Sequence, residues 1–400
     1  MISLQAKNHR KVVSERRLNR VLGQVLLLTF IFFFQFVVRQ IVGPLLPAVE
    51  AEMGLRHTQG GLFVFSLGLG FFISQLGAAF FAARWGYRRC ILISIWGCAV
   101  GAMVLGLVDA LPSLYGGFLL LGLCGGLYIP SAFALLTAMV RPQDWGKALA
   151  THELAPNIAL IAVPFIATAA ISLHSWRLAY LAVSGVLVLL GFVHALVGTD
   201  VPDRPPPPDL RRIREIAANP DFWRLGLLLS LGVGIETGVY SMIPLFLTSE
   251  KAFALADANQ LLGLSRIPAV VMVLVSGWIA DRTRPALTIT ITLGLTGLAV
   301  IVLGIGPKYL TAPAVYLQAA ASAAFFPPVL AMTSQISRAD NRALTFSLIL
   351  AVAPAVGGGL LPAGIALAGD LGSFAAGMAG AGLLTLCGIA LIKNPPPGRR

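Results

Sequence analysis

Between Val21 and Val49 the chain reads VLGQVLLLTFIFFFQFVVRQIVGPLLPAV. This run exceeds the roughly 20 apolar residues that a helix needs to cross a hydrocarbon core of about 30 Å. Yet Arg39 lies deep inside it. A charge at that depth costs at least about 2.5 kcal/mol on insertion scales, so it has to face protein or water rather than lipid. Eleven more apolar segments follow, at 58–83, 90–108, 112–140, 148–173, 178–198, 225–248, 258–280, 285–306, 309–337, 343–369 and 371–392. Of all residues 57% are hydrophobic and only 12% charged, about half the charge of an ordinary soluble domain. A soluble chain could not hide that much apolar surface. The expected fold is all-α and integral to a membrane, with twelve transmembrane helices.

Residues 1–20 carry Lys7, Arg10, Lys11, Arg16, Arg17 and Arg20 without a short apolar core and cleavage site. They are expected to form a cytoplasmic tail with no cleaved signal peptide. One long polar stretch, residues 199–224, interrupts the short connections. Its prolines Pro205 to Pro208 favour extended backbone, and LRRIREIA after them reads as a short surface helix. It divides the chain into a six-helix half at 21–198 and a second at 225–392, with 393–400 as a tail. With an even number of spans both ends share a face. Of the 29 Lys and Arg, 23 fall on that face, four (Arg56, Arg177, Lys251, Lys308) on the other, and two (Arg39, Arg266) within spans. The positive-inside rule makes the face carrying the termini cytoplasmic, in a cell membrane. The net charge of +12 is therefore topological, and no contiguous basic domain offers a nucleic-acid surface. Cys90, Cys98, Cys124 and Cys387 lack metal spacing and read as free cysteines of the core.

The halves repeat one another. A shift of 197 or 198 positions places Pro130 on Pro328, Pro156 on Pro354, Pro164 on Pro362, Arg84 on Arg282 and Pro47 on Pro244. Two parallel six-helix repeats are the layout of transporters whose halves are related by an axis along the membrane normal, with substrate between them.

On these features the chain resembles the major facilitator superfamily over essentially its whole length. That family's signature after the second segment, G-x-L-x-D-R-x-G-R-R, is matched in AFFAARWGYRR by Arg84, Gly86 and Arg88, while Ala79, Ala83 and Tyr87 depart from it. The second copy, GWIADRTRP, keeps Gly277, Asp281 and Arg282. The resemblance implies that this loop latches the gate on the side of the termini, with Asp281 able to serve where Ala83 cannot. The arginine that the family often carries in segment four is Phe118 here, although the run Gly122, Gly125, Gly126 stands. The resemblance also implies two rigid six-helix bundles rocking about a central site.

Charges inside the spans are the candidate working parts: Arg39, Glu153, Glu236 and Arg266, with His152 beside Glu153. Arg39 and Glu236 each stand eight residues before a matching proline, on segments one and seven, and are expected to face each other across the central pathway as a gating or binding pair. The bland alternative is a static ion pair, which adds little net stability. Arg266 then has no carboxylate of its own, and a guanidinium suits a carboxylate or phosphate bidentately. Snorkelling toward the surface near Asp257, or sharing Glu236, is the alternative. Glu153 with His152 is a candidate proton carrier, or else a gate residue bonded to Arg84, Arg88 or Arg141. Asn157, one turn on, shares its face. Tyr128 and Tyr240 are cavity candidates, because a buried phenol needs a partner.

No phosphate-cradling loop, metal cluster or nucleophile–base arrangement is present, and the five histidines share no ligand spacing. The chain is expected to be a secondary transporter and not an enzyme, with no cofactor and no metal. Its substrate is expected to be a small organic anion, a carboxylate, held by Arg266 and Arg39 with Tyr128, Tyr240 and Asn157. The proton is the expected coupling ion, with Glu236, Glu153, His152, Arg84, Arg88, Asp281 and Arg282 in coupling and gating. The expected partners are the lipid bilayer, the anion and the proton, and the chain is expected to act as a monomer. Efflux of amphiphilic cations is the alternative. A non-transporting receptor or scaffold is the remoter one, since the loops are short.

Overall fold

The computed structural model describes residues 17–173, 175–201, 204, 209–280, 282–336 and 342–392. Asp281 and the runs 1–16, 205–208 and 393–400 fall outside them. Among the described residues, twelve helices are long and apolar enough to cross a membrane. They are α1 Leu18–Met53, α2 His57–Trp85, α3 Tyr87–Leu107, α4 Leu111–Met139, α5 Pro142–Ser172 and α6 Arg177–Val197, then α7 Pro220–Ser249, α8 Leu255–Ile279, α9 Pro285–Ile305, α10 Lys308–Thr333, α11 Leu348–Asp370 and α12 Phe374–Leu391. The connector carries a helix at Leu210–Ala217, started by Asp209, whose carboxylate accepts the Arg211 N–H at 2.9 Å. The helix leading into α7 begins before its apolar run, because Asn219 caps the Asp221 N–H at 3.0 Å and Pro220 suits the first helical position. The four cysteines are free.

Several spans are not continuous α-helix. In α1 the helix Leu18–Gln40 gives way at Ile41 to Val42–Met53. A π-turn occupies Gly234–Val239 in α7 and another Pro354–Leu360 in α11. The two π-turns pack on each other with Gly357 against α7: a Cβ on Gly357 would lie 1.8 Å from the Ser230 carbonyl oxygen. Close approach of this kind, through small residues, is how helices associate in lipid, where burial of apolar surface supplies no drive.

Contacts between the halves gather at the face opposite the termini, the far face. There α1 packs on α7, α2 on α11, and α5 on α8. Gly43 meets the backbone of Ser241, and Gly61 meets Ala363 and Ala366. Asn259 of α8 donates to the Pro44 carbonyl at 3.3 Å and to Thr168 Oγ1 at 3.2 Å. Toward the face of the termini, among the described residues, α4 and α10 pack chiefly within their own halves, and the extensive contact bridging the halves is that of α2 with α11. The halves are thus closed at the far face and parted at the other. The parted face bears the basic connections, among them Arg84, Arg88, Arg89, Arg141, Lys147, Arg211, Arg212 and Arg214.

One far-face contact is a helix cap supplied by the opposite half. Asp370, at the end of α11, accepts the N–H groups of His57 and Thr58, which open α2, at 2.9 and 2.8 Å. The His57 ring sits edge-on to Phe374 and bonds Glu50 Oε2 through Nδ1 at 2.7 Å. Loss of a helix-capping carboxylate costs about 0.5–2 kcal/mol. Asp370→Ala therefore shifts the closed far face toward opening by about 2- to 30-fold. Amide hydrogen exchange at His57 and Thr58 should accelerate by that factor, and unchanged exchange would show that the cap does not hold the face shut.

Candidate functional site

Two of the candidate residues lie where a span loses regular helical hydrogen bonding: Glu236 inside the π-turn of α7 and Arg39 just before the break at Ile41 in α1. A π-turn breaks the regular i→i−4 ladder and leaves carbonyls in need of donors. In α7 the Ile235 carbonyl accepts Gln318 Nε2 of α10 at 2.8 Å, and the Glu236 carbonyl accepts Arg266 Nη2 of α8 at 3.2 Å. The irregular backbone thereby fixes where the arginine lies. The guanidinium lies 4.7 Å from the centre of the Tyr240 ring, and Arg266 is only 2% exposed. Its Nε and Nη1 are buried and meet no hydrogen-bond partner. Glu236 is half-buried and joins no ion pair among the described residues, although Arg266 is the positive charge acting on it.

Arg39 is settled differently. Its Nε donates to the Gln35 carbonyl at 2.9 Å, one turn back, and its guanidinium lies 5.1 Å from the Phe71 ring and 5.5 Å from Phe36. Gly125 of α4 leaves room for the chain, since a Cβ there would lie 3.3 Å from Arg39 Cδ. Arg39 and Glu236 form no ion pair, so the expected pairing across the pathway is corrected. Aromatic faces and a backbone carbonyl hold Arg39 inside the N-terminal half, with Nη2 buried and unpaired. The carboxylate facing Arg266 is Glu236. Arg266 accordingly does not snorkel toward Asp257.

Both tyrosines are fully buried with their hydroxyls engaged. Tyr240 donates across the interface to the Leu160 carbonyl of α5 at 3.0 Å, tying the halves together above Arg266. Tyr128 donates to the Leu28 carbonyl of α1 at 2.6 Å and contacts His152 Nε2 at 3.2 Å, wholly within its own half. His152 Nδ1 lies 3.2 Å from Glu153 Oε1. Asn157 turns its amide onto its own helix, donating to the Glu153 carbonyl at 2.9 Å.

The expected latch residues stay on their own sides. Arg88 donates to the Ala195 carbonyl at 2.6 Å, and the Arg84 carbonyl accepts Arg204 at 2.8 Å. Arg282 folds back on α8, donating to the Trp278 carbonyl at 3.2 Å and stacking on its ring at 4.2 Å. Asp281 lies outside the described residues. Arg141 pairs with Asp144 at 2.7 Å and not with Glu153. That arrangement fits a parted face. Gln318 and Asn259 were not anticipated: Gln318 is a lone amide in an apolar segment, whereas Asn259 stands in the polar start of its span beside Asp257 and Gln260 and carries no distinguishing sign.

Comparison with known proteins bears on the family and the fold. The family model described as Major Facilitator Superfamily matches residues 28–317. No curated protein matches the chain. Among solved structures, a bacterial homologue of the human lysosomal transporter Spinster, inward-facing and occupied, superimposes with TM-score 0.76 at 15% identity, over 94% of this chain and 96% of that one. A POT family transporter in complex with 5-aminolevulinic acid gives TM-score 0.76 at 12% identity over 92% and 94%. A D-xylose–proton symporter gives 0.74 at 14% identity over 94% and 98%. At these identities the likeness is one of fold.

Proposed function

The chain belongs to the Major Facilitator Superfamily and is a secondary transporter, and on that premise we propose that it moves a small organic anion, a carboxylate, in exchange with or alongside protons. One observation carries the reading: Arg266, 2% exposed, has Nε and Nη1 unpaired beside a half-buried Glu236 that joins no ion pair. A buried guanidinium with two free donors is matched bidentately by a carboxylate. A static structural arginine would have taken up the nearby carboxylate instead.

In this mechanism the anion binds Arg266 over the Tyr240 ring, and Arg39 contributes a second positive charge from the other half. Glu236 and the anion compete for one guanidinium. Two negative charges there repel, so Glu236 accepts a proton as the anion binds, and that proton travels with the substrate. The positive-inside distribution makes the parted face cytoplasmic. The cell membrane is then the site of action, and the described state is open inward. Rocking of the halves closes the latch of Arg84, Arg88, Asp281 and Arg282 and releases the Tyr240–Leu160 bond.

The test is thermal unfolding of the purified chain with acetate, succinate, citrate, phosphate or tetraethylammonium, followed by uptake in proteoliposomes. A carboxylate should raise the midpoint and accumulate when a pH gradient is imposed. If only tetraethylammonium stabilises, Glu236 is a cation site and the cation-efflux reading replaces this one.

A further inference from the structure

The N-terminal half holds an ionisable cluster for which binding an anion at Arg266 has no use. Tyr128 Oη lies 2.6 Å from the Leu28 carbonyl oxygen. A carbonyl can only accept, so the phenol hydrogen is committed there and the phenol oxygen remains an acceptor. His152 Nε2 is 3.2 Å from that oxygen, and therefore carries a hydrogen. A neutral imidazole with its hydrogen on Nε2 has a bare lone pair on Nδ1. That nitrogen faces Glu153 Oε1 at 3.2 Å. With Glu153 ionised as well, two lone pairs would oppose each other. The ring cannot turn away, because it is stacked on Phe32 at 4.6 Å and 8° and meets Phe133 edge-on at 5.7 Å.

We propose that His152 and Glu153 form a proton-binding site, with one proton shared between Nδ1 and Oε1. A carboxylic acid donating to imidazole and an imidazolium donating to carboxylate are the same state of the pair, one proton bound. His152 is fully buried, whereas the Glu153 side chain is 46% exposed. The proton exchanges with water through Glu153. Its departure brings the lone pairs into opposition, and Glu153, the free partner, swings off the clamped ring. Proton binding is thereby read as a side-chain movement on α5, which also carries the Leu160 acceptor of Tyr240.

The charged and titratable groups on the surrounding elements are otherwise occupied or face elsewhere. Tyr128 of α4 is the one in direct contact, and Arg39 of α1 acts on it. Arg266 and Tyr240 engage each other from the side of α8 and α7, and Arg141 holds Asp144 where α5 begins. Glu50 on the far part of α1 bonds His57, and on α6 Arg177 is paired with Glu52 and Asp109. Tyr180 and His194, also on α6, are buried, Tyr180 edge-on to Phe118 and Trp176, and His194 beside Arg88 and Asp200.

The assignment is independent of what Arg266 binds, and its test uses no transport. The reconstituted full chain is titrated from about pH 5 to about pH 10 and the protons released are counted, against Glu153→Gln, His152→Gln and the double variant. Each single variant should release one proton fewer than the parent, and the double variant no fewer than either single. Glu236→Gln, made in the same series, should leave that difference intact. A histidine titrating alone would still release its proton in Glu153→Gln, and that result overturns the proposal, as does a double variant that loses two. Tyr128→Phe supplies a second readout. With the phenol gone, nothing holds the hydrogen on Nε2, and nitrogen-15 resonances of labelled histidine should show it on Nδ1, facing an ionised Glu153. A variant that keeps the Nε2 form would refute the shared proton even if the counts agreed.

Discussion

In Arg266→Ala the midpoint shift produced by a stabilising carboxylate disappears, and the concentration needed for a comparable effect rises about 30- to 4,000-fold. That range follows from the 2–5 kcal/mol lost when one partner of a buried, hydrogen-bonded charge pair is truncated. The unliganded protein responds differently. Its arginine carries two buried donors without partners, whose desolvation is a standing penalty. Removal relieves that penalty while freeing the Glu236 carbonyl, so the unliganded midpoint should move little or rise. A structural arginine predicts the reverse, with a large drop in the unliganded midpoint. Arg266→Lys keeps a charge but not the fork, and should recover only part of the response. If carboxylate stabilisation survives in Arg266→Ala, the site lies elsewhere.

Gly357→Ala should be among the most damaging single-atom additions in the protein. A Cβ at that position would lie 1.8 Å from the Ser230 carbonyl oxygen and 2.6 Å from the Gly234 nitrogen. Both are backbone atoms of α7 and cannot swing aside, so α7 and α11 must separate at their π-turns. Overpacking of this kind costs about 1–3 kcal/mol and sometimes more. The next residue is the control. A Cβ on Gly358 meets nothing nearer than Thr237 Oγ1 at 3.6 Å, so Gly358→Ala should stay within about 0.5 kcal/mol of the parent. Thermal unfolding of the two variants side by side tests the packing, and equal midpoints would reject it.

The twelve spans and their order were legible because hydropathy over twenty residues is a strong signal. The helix ends were less so: the start of α7 depends on Asn219 and Pro220, which no hydropathy window registers. The site was half legible. Arg266 and Glu236 were found by their cost in lipid, but Arg39 was matched to the wrong partner. Equal spacing from Pro47 and Pro244 translates into equal facing only if both helices are regular. Helix α1 breaks at Ile41, and α7 runs through a π-turn from Gly234 to Val239, each extra residue turning the following side chains by about 100°. The same turn gives Gln318 its role, and nothing in the sequence marks a π-turn. Tyr128 and His152 lie on different segments, and their contact depends on how α4 and α5 meet.

The basic connections also imply a kinetic asymmetry. The parted face is ringed by arginines, whereas the far face sets Arg56, Arg177, Lys251 and Lys308 against Glu50, Glu52, Asp109, Glu250, Asp257 and Asp370. A positive rim raises the local concentration of anions and speeds their capture, and salt weakens both over a screening length of about 8 Å at physiological strength. Uptake of an anion from the parted face should therefore slow as ionic strength rises. Uptake from the far face, where six carboxylates outnumber four cations, should not slow. The carrier is then a rectifier at low salt, with its preferred direction set by loops that never touch the substrate.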